Sequence, residues 1–246
     1  VPLMEQFPYE AVLVNVFGTK TVADLAVKYK AEKFVMISTD KAVNPTNVMG
    51  ATKRMAEIYT QSRHAENTKF ITTRFGNVLG SNGSVTPLFK NQLAQGGPLM
   101  VTDENIIRYF MTIPEACSLV LKASAMGEDG NIFVFDMGKP VRIYDLAQKM
   151  IKLSGMTEVQ IKITGLRPGE KLYEELLATK ENTIPTNIPQ IMRAKVREYD
   201  SETVDKQLEE LREALTSLDD FAIVAKMKEI IPEFVSNNSE FSVLDK

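Results

Sequence analysis

Ser38-Thr39-Asp40-Lys41 closes an apolar run, Phe34-Val35-Met36-Ile37, and Met49 and Lys53 follow shortly after in Asn47-Val48-Met49-Gly50-Ala51-Thr52-Lys53. A hydroxyl, a carboxylate and two amines therefore gather near the end of one predicted strand. In open parallel sheets, ligands bind outside the carboxyl ends of the strands. Asp40 and Lys41 are neighbours, so a proton donor and a base can stand side by side. Lysine serves as a base only if burial or a nearby cation lowers its pKa. Met49 and Lys53 are one helical turn apart and share a face. A cation on that face suits a ribose and could lower the pKa of a neighbouring hydroxyl.

Other residues extend the set. Arg167-Pro168-Gly169-Glu170-Lys171 reads as a rigid turn presenting an arginine, and a guanidinium matches phosphate oxygens in bidentate fashion. The alternative is an ordinary turn with a surface arginine. Arg74-Phe75-Gly76-Asn77 closes a second strand, where Asn77 either hydrogen-bonds a ligand or caps a turn. His64 is the single histidine and is expected to be exposed at a helix end. One histidine argues against a histidine-based triad or a histidine-rich metal site. Cys117, in an apolar helix, reads as a packing residue.

The elements that position these groups alternate. A helix is predicted over 10–30, a strand over 33–37, a helix over 47–63 and a strand over 69–74. Helices follow over 85–95, 114–126 and 143–154. Strands are expected over 99–102, 132–135 and 159–163. Alternation of this kind implies a parallel sheet with helices on both faces, a partial Rossmann-like α/β fold. From Asp200 onward the chain reads as charged helix with an apolar stripe, Val204, Leu208, Leu211 and Leu215, expected to cap the body. The expected organisation is a partial dinucleotide-binding domain over 1–80, a mainly substrate-binding region with returning sheet elements over 81–180, and a helical extension over 181–246.

The 246 residues are 44% hydrophobic, with ample core for one large or two smaller domains. The net charge of -3 gives no basic footprint for nucleic acid. No run approaches the roughly 18 apolar residues that a membrane helix needs. A single cysteine excludes an internal disulfide and fits a reducing compartment, so the expected location is cytoplasmic. No G-x-G-x-x-G occurs, and only a few residues precede the first helix. The chain is therefore expected to be the carboxyl-terminal part of a longer protein, cut inside its sheet, whose upstream part could anchor it to a membrane.

Thr39-Asp40-Lys41, the Met49-to-Lys53 helix start, Arg74-Phe75-Gly76-Asn77-Val78-Leu79-Gly80-Ser81 and Leu166-Arg167-Pro168-Gly169-Glu170-Lys171 together resemble the extended short-chain dehydrogenase/reductases. The nearest resemblance is to the UDP-N-acetylglucosamine 4,6-dehydratase branch, and it runs from Pro2 to about Leu177. It implies NAD or NADP as cofactor, a UDP-sugar as partner, and a homo-oligomer. It implies that Thr39 contacts the C4 hydroxyl, Asp40 is the acid that protonates the departing hydroxyl, and Lys41 is the C5 base. Ser38, Lys53, Phe75 and Asn77 would contact the cofactor. Asn77, Arg167 and Glu170 would face the UDP portion. Met49 stands where the wider family carries its catalytic tyrosine, as in long members of this branch. A UDP-sugar 4-epimerase and a non-catalytic nucleotide-sugar binder are the competing expectations.

Overall fold

The computed structural model describes residues 1–156, 158–174, 183–195 and 197–245. Its central sheet has five strands: β1 (Lys33–Thr39), β2 (Lys69–Phe75), β3 (Asn131–Phe135), β4 (Thr183–Pro185) and β5 (Ile191–Ala194). Their spatial order is β1-β2-β3-β5-β4. The first three run parallel, with Ile37 beside Thr73 and Thr73 beside Phe133. β5 is antiparallel to β3, and β4 is antiparallel to β5.

The sheet is thus parallel over three strands only, and within the extension expected to be helical from 181 the described residues include two strands, Thr183–Pro185 and Ile191–Ala194. Its first helix starts at Ser201. β4 and β5 are too short to display a period of two. They declare themselves only through their neighbours: Ile191 and Ala194 are buried opposite Phe135 and Ile132.

Helices cover both faces. Ahead of β1 the chain is helical over Pro8–Val12, passes through a wider π turn at Leu13–Phe17, and continues as α1 (Gly18–Lys28). The start falls at Pro8, whose fixed φ suits the first helical position. α2 (Val48–Ser62) is capped by Asn47, whose side chain accepts the Gly50 N–H at 2.7 Å. Further on come α3 (Val85–Ala94), α4 (Ile113–Met126) and α5 (Ile143–Ser154). α4 opens with a reciprocal Thr112–Glu115 capping box, and α5 ends at Gly155, whose φ of 75° is the left-handed stop that glycine favours.

Three cores result. One lies between β1–β2 and α2 and includes Val48, Met55, Tyr59 and Phe70. A second, on the other face, joins Ile71, Phe133 and Phe135 to Leu119 and Ala123 of α4. A separate cluster gathers Phe89, Leu99, Ile106 and Ile143 around the short strand pair Leu99–Val101 and Ile161–Ile163. In the tail, α6 (Ser201–Leu215) buries Val204, Leu208, Leu211 and Leu215, and it packs with α7 (Asp220–Ile230) on α2. The cap expected of that stripe is what forms. Among the described residues, no helix is long and apolar enough to cross a membrane.

Candidate active site

β1 ends in extended backbone at Thr39, and the chain turns at once through Asp40–Ala42. The Thr39 hydroxyl donates to Asp40 Oδ1 at 2.9 Å. Asp40 is fully buried, so its charge requires a partner. Lys41 Nζ supplies it at 3.0 Å from the same Oδ1. That ammonium also donates to Asn77 Oδ1 at 3.3 Å and pairs with Glu174 Oε1 at 3.3 Å. Arg108 Nε reaches the same Glu174 oxygen at 3.5 Å, and Arg108 Nη2 pairs with Glu170 at 3.5 Å. Glu170 in turn holds Arg167 at 3.4 Å. Charges of alternating sign therefore run from Asp40 to Arg167. They pass along a cavity of about 420 Å³ whose lining includes Lys41, Met49, Asn77, Arg108, Arg167 and Glu170.

Two amines are tuned in opposite directions. Burial works against the charged form of Lys41, but the Glu174 and Asp40 carboxylates outweigh it and hold the amine above its ordinary value. This is opposite to what the sequence argument asks of a base, so the proton must have somewhere to go. Lys53 moves down, because burial outweighs the favourable charge of Glu57 one turn along. Its amine donates to the Ile37 carbonyl at 3.0 Å, which puts it at the carboxyl half of β1.

The structure brings Lys41, Met49, Asn77, Arg167 and Glu170 together around the cavity, with Thr39 and Asp40 directly behind Lys41. Ser38 and Phe75 stand elsewhere. Successive strand side chains alternate in direction, and Ser38 shares the buried face of β1 with Met36. Phe75 stacks on Phe135 at 5.5 Å between centroids and packs against the second core. His64 is exposed and pairs with Asp129 at 3.1 Å. Cys117 is exposed rather than packed, because α4 buries Ala116, Leu119 and Ala123 and Cys117 falls off that face.

Sequence reasoning misses Glu174 and Arg108, since nothing local links two residues so far apart. It also misses a buried ion pair beneath the site. Arg74 donates to both oxygens of Glu57, at 2.8 and 2.7 Å, and Arg54 adds a third contact at 3.1 Å. Burial alone would raise the Glu57 carboxyl, but Arg74 and then Arg54 hold it down at about 2. One available signal was that Glu57 lies four residues beyond Lys53 on the same helical face. Gly50 completes the frame: a Cβ there would sit 2.1 Å from the Lys41 carbonyl oxygen, so α2 meets the Asp40–Lys41 turn at backbone contact.

A family model described as polysaccharide biosynthesis protein matches residues 1–196. The chain is 56% identical over 215 residues to the capsular polysaccharide biosynthesis protein CapD of Staphylococcus aureus, a match covering 86% of this chain and 36% of the relative. It is 37% identical over 185 residues to a UDP-glucose 4-epimerase of Rickettsia rickettsii, covering 74% of this chain and 54% of the relative. The chain thus spans little more than a third of the first of these relatives and about half of the second. Among solved structures, Pen from Bacillus thuringiensis matches with a TM-score of 0.74 and 33% identity, over 85% of this chain and 72% of that one. A dTDP-glucose 4,6-dehydratase from Bacillus anthracis, in complex with NAD, matches with a TM-score of 0.60 at 21% identity, over 69% of this chain and 60% of that one. At that identity the likeness speaks for the Rossmann-like fold alone.

Proposed function

The chain belongs to the polysaccharide biosynthesis protein family, and from that membership we propose that the full-length protein is an NAD(P)-dependent 4,6-dehydratase acting on UDP-N-acetylglucosamine or a close UDP-hexose. The observation that carries this reading is the hydrogen-bonded Asp40–Lys41 pair, 3.0 Å apart, with Lys41 on the cavity wall. Transfer of one proton from Lys41 Nζ to Asp40 creates a neutral amine and a carboxylic acid together. The amine removes the C5 proton and the acid protonates the hydroxyl leaving C6. Water departs, and both residues return to their charged forms. Thr39, bonded to Asp40, orients the carboxyl and lies near the C4 hydroxyl.

NAD(P)⁺, when bound, would supply the hydride chemistry at C4 and C6. The residues of this chain fit the nicotinamide end. Lys53 donates to a backbone carbonyl, and an ammonium has three donors, which suits it to hold a ribose as well. This chain contains no G-x-G-x-x-G, so a glycine loop for the pyrophosphate is not among its own contributions. Asn77, Arg167 and Glu170 face the UDP portion, with Arg167 on a phosphate oxygen.

A second reading, a UDP-sugar 4-epimerase, is favoured by the relative of that name, although epimerisation has no use for the Asp40–Lys41 pair. Product analysis with the full-length protein, UDP-N-acetylglucosamine and either cofactor decides between them. A 4-keto-6-deoxy sugar is expected. An inverted C4 hydroxyl makes the protein an epimerase, and unchanged substrate makes it a binder. Arg167→Ala should raise KM roughly ten- to a hundred-fold with kcat nearly kept, because a charge-assisted contact worth about 1.5–3 kcal/mol is lost equally in ground and transition states. Loss of kcat at constant KM would contradict that placement.

A further inference from the structure

The two walls of the cavity are joined by a third piece of chain from the far end of the sequence. The segment 235–239 follows the tail helices and lies beyond the residues matched by the family model. It runs between the loop 43–47, which leads into α2, and the loop 166–171, which carries Arg167. On one side, Val235 N–H donates to the Pro45 carbonyl at 3.2 Å and Asn237 N–H to the Thr46 carbonyl at 3.1 Å. On the other, the Asn237 carbonyl accepts the Gly169 N–H at 2.8 Å. The Asn237 side chain donates to the Glu170 carbonyl at 2.9 Å, and that of Asn238 to the Leu166 carbonyl at 2.7 Å. Ser239 donates to Glu5 Oε2 at 2.7 Å, while Glu5 Oε1 accepts the Val48 N–H at the start of α2.

These bonds have a direction. All but the two on the Glu5 carboxylate end on main-chain atoms of the two loops, so they fix backbone position rather than any one side chain. The loop 166–171 is held at its carboxyl end, where Arg108 donates to the Lys171 carbonyl at 2.7 Å and Thr102 to Glu170 at 3.2 Å, while the stretch from Leu166 to Gly169 leans on the tail. Arg167 and Pro168 are exposed, and the loop turns at Gly165 and Gly169, whose φ values are 87° and 74°. Its other ties to the facing wall are Asn47 Nδ2 to the Gly169 carbonyl at 2.9 Å, Thr46 Oγ1 on the same oxygen at 3.5 Å, and Lys171 Nζ to the Val43 and Asn44 carbonyls at 3.0 and 2.8 Å. Asn238 itself has a φ of 50°, a left-handed conformation that asparagine and glycine tolerate best. The turn of the tail toward Leu166 is thus built into the local sequence Asn237-Asn238.

We propose that residues 235–239 are a positioning clamp for nucleotide-diphosphate binding: together with the direct Lys171 and Asn47 bonds, the tail sets the separation between the α2 wall and the Arg167 wall, and so contributes to the affinity of the site for a nucleoside diphosphate. Asn237 and Asn238 are positioning residues that touch neither substrate nor reacting atoms. The inference rests on the reading of the 166–171 loop as the phosphate-facing wall. It assigns a binding role to a part of the chain that would otherwise count as a cap.

The test compares wild type, Asn237→Ala/Asn238→Gly and Arg167→Ala in the full-length protein, with UDP as probe in calorimetry and the UDP-sugar as substrate in kinetics. The double variant removes both side-chain bonds but keeps the backbone path, since glycine accepts the left-handed φ. Two neutral hydrogen bonds of ordinary strength predict a UDP dissociation constant and a KM raised by roughly three- to tenfold, with kcat nearly kept. Deuterium uptake by the amides of 166–171 should rise as well. Asn237→Asp, of equal size but without the donor, should reproduce part of the effect. Increased uptake with unchanged UDP affinity and KM would make the tail a structural brace only and overturn the proposal, as would no change in any of the three. If Arg167→Ala weakens UDP while the double variant does not, the clamp alone falls. If wild type does not bind UDP, or Arg167→Ala leaves binding untouched, the reading of the loop falls and the clamp with it.

Discussion

Lys41→Ala in the full-length protein is expected to abolish exchange of the sugar C5 proton with solvent deuterium, while UDP still binds. A positioned general base contributes about 10²–10⁴-fold, so elimination should fall by at least that range. Exchange at the wild-type rate would remove Lys41 from the role. The pH dependence carries further information. The Asp40–Lys41 pair is competent while it holds a single proton between its two members. Glu174 and Asp40 hold that proton on Lys41 above the ordinary amine value despite burial. Activity should therefore persist through neutral pH and decline only far on the alkaline side. Glu174→Gln removes the largest of the charges retaining the proton, and the alkaline decline should move to lower pH. A wild-type rate that instead climbs steadily with pH would mean that Lys41 loses its proton to solvent rather than to Asp40.

Arg74→Ala should destabilise the fold by about 3–5 kcal/mol, because it leaves a buried carboxylate with much of its counter-charge gone. Arg54, 3.1 Å from Glu57, keeps the loss toward the lower end. The sign with pH follows from the depressed Glu57 carboxyl. Its stabilising contribution is complete above the unfolded glutamate value of about 4.3 and is lost as pH falls toward the folded value of about 2. Urea denaturation of wild type should therefore show stability draining away between roughly pH 4 and 2. In Arg74→Ala the Glu57 carboxyl rises, so that part of the acid dependence should flatten. A double replacement, Glu57→Leu with Arg74→Met, should recover much of the loss, since matched apolar groups can take the place of a buried pair. A variant as stable as wild type at neutral pH would show that the pair adds nothing beyond Arg54 and Glu57.

What the sequence discloses here divides by range. α5 is legible to the residue, because Ile143, Leu146, Ala147 and Met150 repeat at helical spacing and Gly155 ends it. The placement of Asp40 and Lys41 at a strand's carboxyl end is legible for the same reason: an apolar run is cut by polar residues and followed by a capped helix. The partners of those residues are not. Glu174 reaches Lys41, Arg74 reaches Glu57, and Asn237 reaches the Glu170 carbonyl only because the sheet folds distant segments together. Nothing in Ser236-Asn237-Asn238-Ser239 names its partners, because the Asn237 and Asn238 bonds go to main-chain atoms, which every residue carries alike. β4 and β5 stay hidden because three or four residues are too few to show a period. Cys117 misleads because an apolar helix still has an outer face.

Gly50 bears on how the site can vary over time. With a Cβ at that position only 2.1 Å from the Lys41 carbonyl oxygen, no side chain is admitted without moving the turn that carries Asp40 and Lys41. The register of α2 against that turn is therefore locked by an absence of atoms. Its immediate neighbour, Met49, faces open cavity and meets no such barrier. A side chain at 49 borders the cavity, whereas the smallest addition at 50 would meet the Lys41 carbonyl oxygen and displace the turn. The tolerance of one position is underwritten by the intolerance of the next.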